Sequence, residues 1–259
     1  ASVAGKIAEA KQEDGSPLYR PEREQQVYQK IAKYNEGPLS NRALVNIYRE
    51  IMSATIAVEG PVQAGYLGPE GSFTHEAAMK SFGHSLPLIS HRNVDAVFDE
   101  VQKGHLEYGI VPIENSTEGM VNATLDGLLA YDVSIFAEVR LRIEHHLISQ
   151  AEALSEVGYL YTHPQAYAQC RNWLLRYLAH IEWEETDSTS SAVRKVAQLN
   201  DRKYAAIGSQ ASADVYGLPV LQPNITDYER NFTRFIVIGR ESARPSGHDR
   251  TLISFVLPD

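Results

Sequence analysis

From Gln63 onward the chain alternates short β-type runs with helical segments, and this alternation limits the possible folds more than any other feature. The runs QAGYLG, LPLIS, YGIVPI, VSIFAEVRLRIEHHLI, VGYLYTH, IEWEET, YAAIGS and RFIVIG are separated by helix-patterned stretches such as NVDAVFDEVQKG, PQAYAQCRNWLLRYLA and STSSAVRKVAQLN. Apolar runs bounded by turn residues and interleaved with helices predict an α/β architecture. The run from Val133 to Ile148 is longer than an ordinary strand. It is expected to carry the chain from one lobe to another, with ligands bound in the cleft between the lobes.

The first 59 residues read as helix. In PEREQQVYQKIAKYNEG, Pro21 suits a first helical turn, Glu22 and Glu24 favour a helix N-terminus, and Val27, Ile31 and Tyr34 share a face. SNRALVNIYREIMSATIAVE follows, with Ser40 as N-cap and Leu44, Ile47, Ile51, Ala54 and Val58 at helical spacing. Residues 1–12 read as the last turns of a further helix that begins outside the sequence, and DRTLISFVLPD as the opening of a further strand.

The net charge of −9 argues against a nucleic-acid partner, and its placement separates two modules. Residues 1–60 hold 8 Lys/Arg against 8 Asp/Glu, so residues 61–259, with 16 against 25, carry the whole excess. No apolar stretch approaches the roughly 20 residues of a membrane span, and no signal-peptide pattern opens the chain, so a cytoplasmic protein is expected. Cys170 is the only cysteine, and the adjacent His145 and His146 would point to opposite faces of a strand, so no metal is expected.

Several polar stretches sit where strands end. GYLGPEGSFTHEAA (65–78) places a Gly/Pro turn between strand and helix, suited either to an anion at the helix N-terminus or to simple capping by Ser72 or Thr74. GIVPIENSTEG (109–119) ends a buried strand in Glu114, Asn115, Ser116 and Thr117, a recognition edge or a cap for the next helix. In YTHPQAYAQC (161–170), Thr162 either caps the helix opened by Pro164 or binds an anion, Gln169 lies further along, and His163 reads as structural or orienting. DSTSSAV (187–193) is another hydroxyl-rich helix start. NFTRFIVIG (231–239) sets a hydroxyl and a guanidinium against an apolar strand, which either function or solvation of a strand end would explain. No GxSxG elbow, GxGxxG turn, P-loop or paired-carboxylate site is present.

Taken in order, GYLGPEGSFTHEAA, VPIENSTEG, THPQAYAQC, STSSAV and NFTRF resemble the prephenate dehydratase family across nearly all of residues 62–240. Residues 1–59, with PERE and GPLSNRALVNIYREIMSA, resemble the all-helical chorismate mutase that precedes the dehydratase in the bifunctional enzyme of phenylalanine biosynthesis. DRTLISFVLPD resembles the start of the family's small phenylalanine-binding regulatory domain, of ACT type.

The resemblance implies an α/β dehydratase of two lobes, like type II periplasmic binding proteins, after an all-α mutase-like segment. Its divisions would be 1–60 mutase-like, 62–242 dehydratase with lobe crossings near 140–147 and 223–233, and 243–259 linker and first strand of the regulatory domain. It implies conversion of prephenate to phenylpyruvate with no cofactor, a homodimer, and phenylalanine as effector only where the regulatory domain is present.

Among the residues it carries over, Thr233 is the hydrogen-bond donor to the leaving hydroxyl, and Asn115, Thr162, Gln169 and Glu114 orient the substrate. Arg234 is a carboxylate anchor unless it faces away from Thr233, Phe235 packs on the ring or the lobe core, and Ser188 belongs to the binding set. Lys11, Arg23, Glu24 and Glu59 fall on mutase site positions, whereas Arg20 stands where an acidic residue is common. The family's first-helix arginines lie outside this sequence, so little mutase activity is expected, with a helical dimerisation module as the other reading of residues 1–59. The rivals to the dehydratase reading are a noncatalytic two-lobed small-molecule binding protein and an anion-binding regulatory module.

Overall fold

The computed structural model describes residues 19–227, 231–245, 247 and 249–253. Two antiparallel helices come first, α1 (Pro21–Tyr34) and α2 (Asn41–Glu59). Pro21 opens α1, and the Ser40 hydroxyl accepts a hydrogen bond from Ala43 N at the start of α2. Both ends follow from the preference for a fixed φ or a side-chain acceptor at an N-terminus whose first N–H groups lack partners.

The first lobe holds β1 (Ala64–Leu67), α3 (Phe73–Phe82), β2 (Leu88–His91), α4 (Val94–Gln102), β3 (Tyr108–Asn115), β4 (Gly119–Met120), α5 (Asn122–Ala130) and β5 (Ser134–Arg142). The second holds β6 (His146–Ile148), β7 (Tyr159–Thr162), α6 (Pro164–Gln169), α7 (Arg171–Tyr177), β8 (Glu182–Glu185), α8 (Thr189–Leu199), β9 (Tyr204–Gly208), α9 (Gln210–Tyr216) and β10 (Val220–Gln222). The chain then returns, and β11 (Phe232–Gly239) enters the first sheet between β3 and β5, antiparallel to both. The strand orders are β2-β1-β3-β11-β5, with β4 pairing β3, and β10-β6-β9-β7-β8.

The inner strands of each sheet are buried on both faces, which explains why they read as continuous apolar runs. One face of the first sheet packs Phe235, Val237 and Ile110 against Ala77, Ala78 and Phe82 of α3. The other packs Ile236, Ile238 and Val111 against Val97, Phe98 and Val101 of α4. In the second lobe Leu160 and Ile207 meet Cys170 and Leu174, while Ile148 and Ala206 meet Val193 and Val196. The helical segment docks on the first lobe through Tyr19, which is buried against Phe82, Tyr108 and Phe136 at centroid distances of 4.8, 5.4 and 6.0 Å.

The structure differs from the sequence reading in particular places. The long run Val133–Ile148 does carry the chain between lobes as expected, as two strands in two sheets joined by residues 143–145; the differences lie elsewhere. The stretch PQAYAQCRNWLLRYLA is two helices meeting at Cys170, because the Asp227 carboxylate accepts from Asn172 N (2.8 Å) and Trp173 N (3.1 Å) and starts a second helix there. The strand expected in DRTLISFVLPD falls largely on residues 254–259, outside the described residues, and 249–253 carry no regular secondary structure. Residues 1–12 also lie outside. Among the described residues, no helix is long and apolar enough to cross a membrane.

Candidate active site

Antiparallel pairing of β11 with β3 sets Thr233 directly opposite Asn115 and Arg234 opposite Glu114. Successive side chains on a strand point to opposite faces, so these two pairs are separated by the sheet itself. Thr233 and Asn115 share the α3 face with Phe235, and Asn115 Nδ2 donates to Thr233 Oγ1 at 2.9 Å. The Asn115 amide has one orientation, because its Oδ1 accepts from both the N–H (2.8 Å) and the hydroxyl of Thr117. With a lone pair of Thr233 Oγ1 filled by that donor, the threonine O–H is left to donate elsewhere. ENST at the end of β3 therefore caps no helix, and it aims one hydroxyl.

Arg234 lies on the far face. Its guanidinium binds Glu114 at 2.6 Å and Glu138 at 3.0 Å, and Glu138 also takes Arg250 at 3.1 Å. Strand alternation thus removes Arg234 and Glu114 from the face that carries Thr233, and the guanidinium fork is already filled by carboxylates. Phe235, 1 % exposed, belongs to the lobe core.

The site closes around the two crossings between the lobes. His145 N donates to Thr226 Oγ1 (3.0 Å), Ile225 N to His145 O (2.8 Å) and Ile143 N to Asn231 O (2.8 Å), so the outgoing and returning strands hold one another. Gln169, at the end of α6, is buried there, its Oε1 accepting from His145 Nε2 (2.8 Å) and Asn231 Nδ2 (3.1 Å). Phe73 at the start of α3 meets the His145 ring edge-on at 5.5 Å. Burial pushes the imidazole pKa of His145 down to about 4, against the opposing hydrogen bond to Gln169, so it is neutral at physiological pH. His145 and Asn231 carried no role in the sequence reading. The signal available was Asn231 two residues before Thr233, hence on the same strand face.

Thr162 is fully buried and its hydroxyl donates to the His163 carbonyl (3.2 Å), while His163, not Thr162, caps α6 through Nδ1. Ser188 caps α8, accepting from Ser191 N at 3.0 Å. Ser72 caps α3. Just before it, the loop Glu70–Gly71 touches the other lobe: Ser209 Oγ donates to Gly71 O (2.9 Å), Tyr216 OH to Glu70 O (3.2 Å), and Ser190 Oγ to Glu70 O. Gly71 has φ +78°, and a side chain there would meet Ser212 Cα at 2.9 Å, so this close approach requires glycine. Among the described residues no His/Cys/Asp/Glu group has the arrangement of a metal site.

The family profile for prephenate dehydratase matches residues 64–243, the two lobes that build this site. The chain belongs to the prephenate dehydratase family. The profile for chorismate mutase type II matches residues 1–60 of the same chain. The bifunctional chorismate mutase/prephenate dehydratase of Stutzerimonas stutzeri is 42% identical over 91% of this chain and 64% of its own length. Its counterpart from Aquifex aeolicus is 39% identical over 100% of this chain and 72% of its own. The prephenate dehydratase of Arthrobacter aurescens, solved in complex with L-Phe, is 32% identical with a TM-score of 0.65, covering 73% of this chain and 62% of that one. The two α/β lobes after a helical segment are thus the type II periplasmic-binding-protein-like fold of prephenate dehydratases.

In the mutase-matching segment of this prephenate dehydratase family member, Lys11 lies outside the described residues. Arg23 is exposed and donates to Gln26 (3.0 Å), Arg20 pairs with Glu22 (2.8 Å), and Glu59 is buried at the end of α2. Burial pushes the Glu24 carboxyl up to about 7, against the Tyr28 hydrogen bond and the Arg49 charge. The unfolded group titrates near 4.5, so between that pH and 7 the folded state keeps a proton the unfolded state gives up. Stability therefore falls as pH rises through this window. Glu24→Gln is expected to unfold at a higher temperature than the parent at pH 8 and at the same temperature at pH 4.5; an equal shift at both would show that burial of the charge is not the cause.

Proposed function

We propose that the chain is a dehydratase converting prephenate, with one proton, to phenylpyruvate, carbon dioxide and water, with the Thr233 hydroxyl hydrogen-bonded to the departing oxygen. The ring carboxylate leaves as carbon dioxide, its bonding electrons enter the ring, and the C–O bond to the ring hydroxyl breaks as the ring becomes aromatic. Hydroxide is a poor leaving group, so the step needs a donor at that oxygen. The hydrogen bond from Asn115 to Thr233 carries this reading, because it orients the threonine O–H outward along a defined line. Threonine is a weak acid, and its role is a positioned hydrogen bond or relay that does not require its own ionisation.

Gln169 and Asn115 are the substrate-orienting amides of this proposal: each has its carbonyl oxygen engaged, and Gln169 keeps its N–H bonds for a ligand while Asn115, which spends one N–H on Thr233, keeps the other. Closure of Glu70–Gly71 onto the second lobe would exclude water from the bound ring. In a protein that also carries the family's first-helix arginines, which lie outside this sequence, the match over residues 1–60 extends the proposal to rearrangement of chorismate into prephenate. A homodimer belongs to the same reading, supported by Ile47, Ile51 and Val58 on the outer side of α2, 48%, 54% and 62% exposed.

Phenylpyruvate should appear from prephenate in one-to-one proportion with carbon dioxide. Tight binding of prephenate without turnover would instead identify a binding protein.

A further inference from the structure

Gln169 is held by two side chains that spend their donors on it alone. His145 Nε2 and Asn231 Nδ2 both reach Gln169 Oε1, at 2.8 and 3.1 Å, from residues 3% and 1% exposed. Their remaining polar atoms, His145 Nδ1 and Asn231 Oδ1, are buried and unpartnered. Burying an acceptor without a partner is unfavourable, so this geometry is not what packing alone would select. Gln169 Oε1 faces inward, and because an amide oxygen only accepts, His145 is the Nε2–H tautomer. The N–H bonds of Gln169 are the end left to meet a ligand.

The same construction holds the other amide of the site. Asn115 Oδ1 is engaged by two donors of Thr117, and Asn115 Nδ2 is thereby delivered to Thr233. At Gln169 the two donors come from the strands that cross between the lobes, and those crossings are tied to each other through Ile225 N to His145 O and Ile143 N to Asn231 O. The aim of Gln169 is thus referenced to the same strand start that carries Thr233, since Asn231 and Thr233 are two residues apart on an extended chain.

We propose that His145 and Asn231 are positioning residues, pinning the carbonyl oxygen of Gln169 so that its amide nitrogen presents N–H bonds to a carboxylate of the substrate. The proposal rests on the reading of Gln169 as a substrate-orienting residue of the dehydratase. A carboxylate that loses one oriented donor binds about tenfold more weakly, and the loss falls on binding when the group stays charged until the reacting carboxylate departs.

The test is steady-state kinetics of the whole chain with prephenate. Asn231→Asp replaces the donor by an acceptor of the same size facing Gln169 Oε1, and is expected to raise KM about tenfold with kcat changed less than about threefold. Gln169→Ala should raise KM similarly, and Asn231→Asp should add nothing in the Gln169→Ala background. His145→Leu should raise KM as well, and His145→Gln, which restores an N–H donor, should recover most of the lost affinity. That rescue is independent of whether Asn231→Asp folds. If Gln169→Ala raises KM but Asn231→Asp raises it equally in both backgrounds, positioning through Gln169 is wrong while the role of Gln169 stands. If Gln169→Ala leaves KM unchanged in an active enzyme, the reading of Gln169 fails and the proposal with it. Equal effects of His145→Leu and His145→Gln would likewise overturn it.

Discussion

Thr233→Ala is expected to lower kcat for phenylpyruvate formation by about 10²- to 10⁴-fold while moving KM less than about threefold. The size follows from what a positioned acid contributes when a poor leaving group departs. The split follows from where the interaction operates: the ring hydroxyl gains basicity only as the C–O bond breaks, so the hydrogen bond strengthens chiefly in the transition state. Thr233→Ser keeps the hydroxyl and should retain turnover within about tenfold, the deficit reflecting rotamer freedom that the threonine methyl removes. Thr233→Val keeps the shape and loses the donor, and should match alanine. The Asn115 amide that donates to Thr233 would remain in place, held by Thr117, so the comparison isolates the hydroxyl. Unchanged turnover in Thr233→Ala, with correctly folded protein, would remove the threonine from the mechanism.

The architecture was legible because the inner strands of both sheets are covered on two faces, which leaves apolar runs and turn residues as a clear periodic signal in residues 64–239. Short elements were not. Strands β4 and β10, of two and three residues, exist through pairing with β3 and β6, a tertiary cause that no local pattern displays. The break at Cys170 depends on a carboxylate 57 positions later, Asp227, which reaches the N–H groups of Asn172 and Trp173.

In the site, ordered motifs pointed to Thr233, Asn115 and Gln169, and the structure sets the first two in register and engages the third from both lobe crossings. What sequence could not give was direction. Arg234 and Glu114 stand beside Thr233 and Asn115 in sequence, yet strand alternation sends them to the opposite face, where they pair with each other. His145 and Asn231 were invisible as a pair because 86 residues separate them and only the closure of the second lobe brings both to Gln169.

Phe235→Ala should cost the first lobe about 3–5 kcal/mol of stability, the range for emptying a fully buried aromatic site. Phe235 is 1% exposed and belongs to the cluster that includes Tyr66, Ala77, Ile110, Leu141 and Val237, so helix α3 and strands β1, β3, β5 and β11 all meet around it. It also directly follows the register shift between Arg234 and Phe235 opposite Pro112. The ring therefore anchors β11 immediately after the two residues that face opposite ways, and a cavity there loosens the strand that holds the Thr233 hydroxyl. The denaturant midpoint of the alanine variant should fall, while Phe235→Leu should lose under about 1.5 kcal/mol because its volume is nearly kept. At a temperature where Phe235→Ala remains folded its kcat should fall less than that of Thr233→Ala, since the donor is still present and only its placement is degraded. An unmoved midpoint would show that the ring does not hold the lobe together, and a kcat loss as large as that of Thr233→Ala would place Phe235 against the substrate itself.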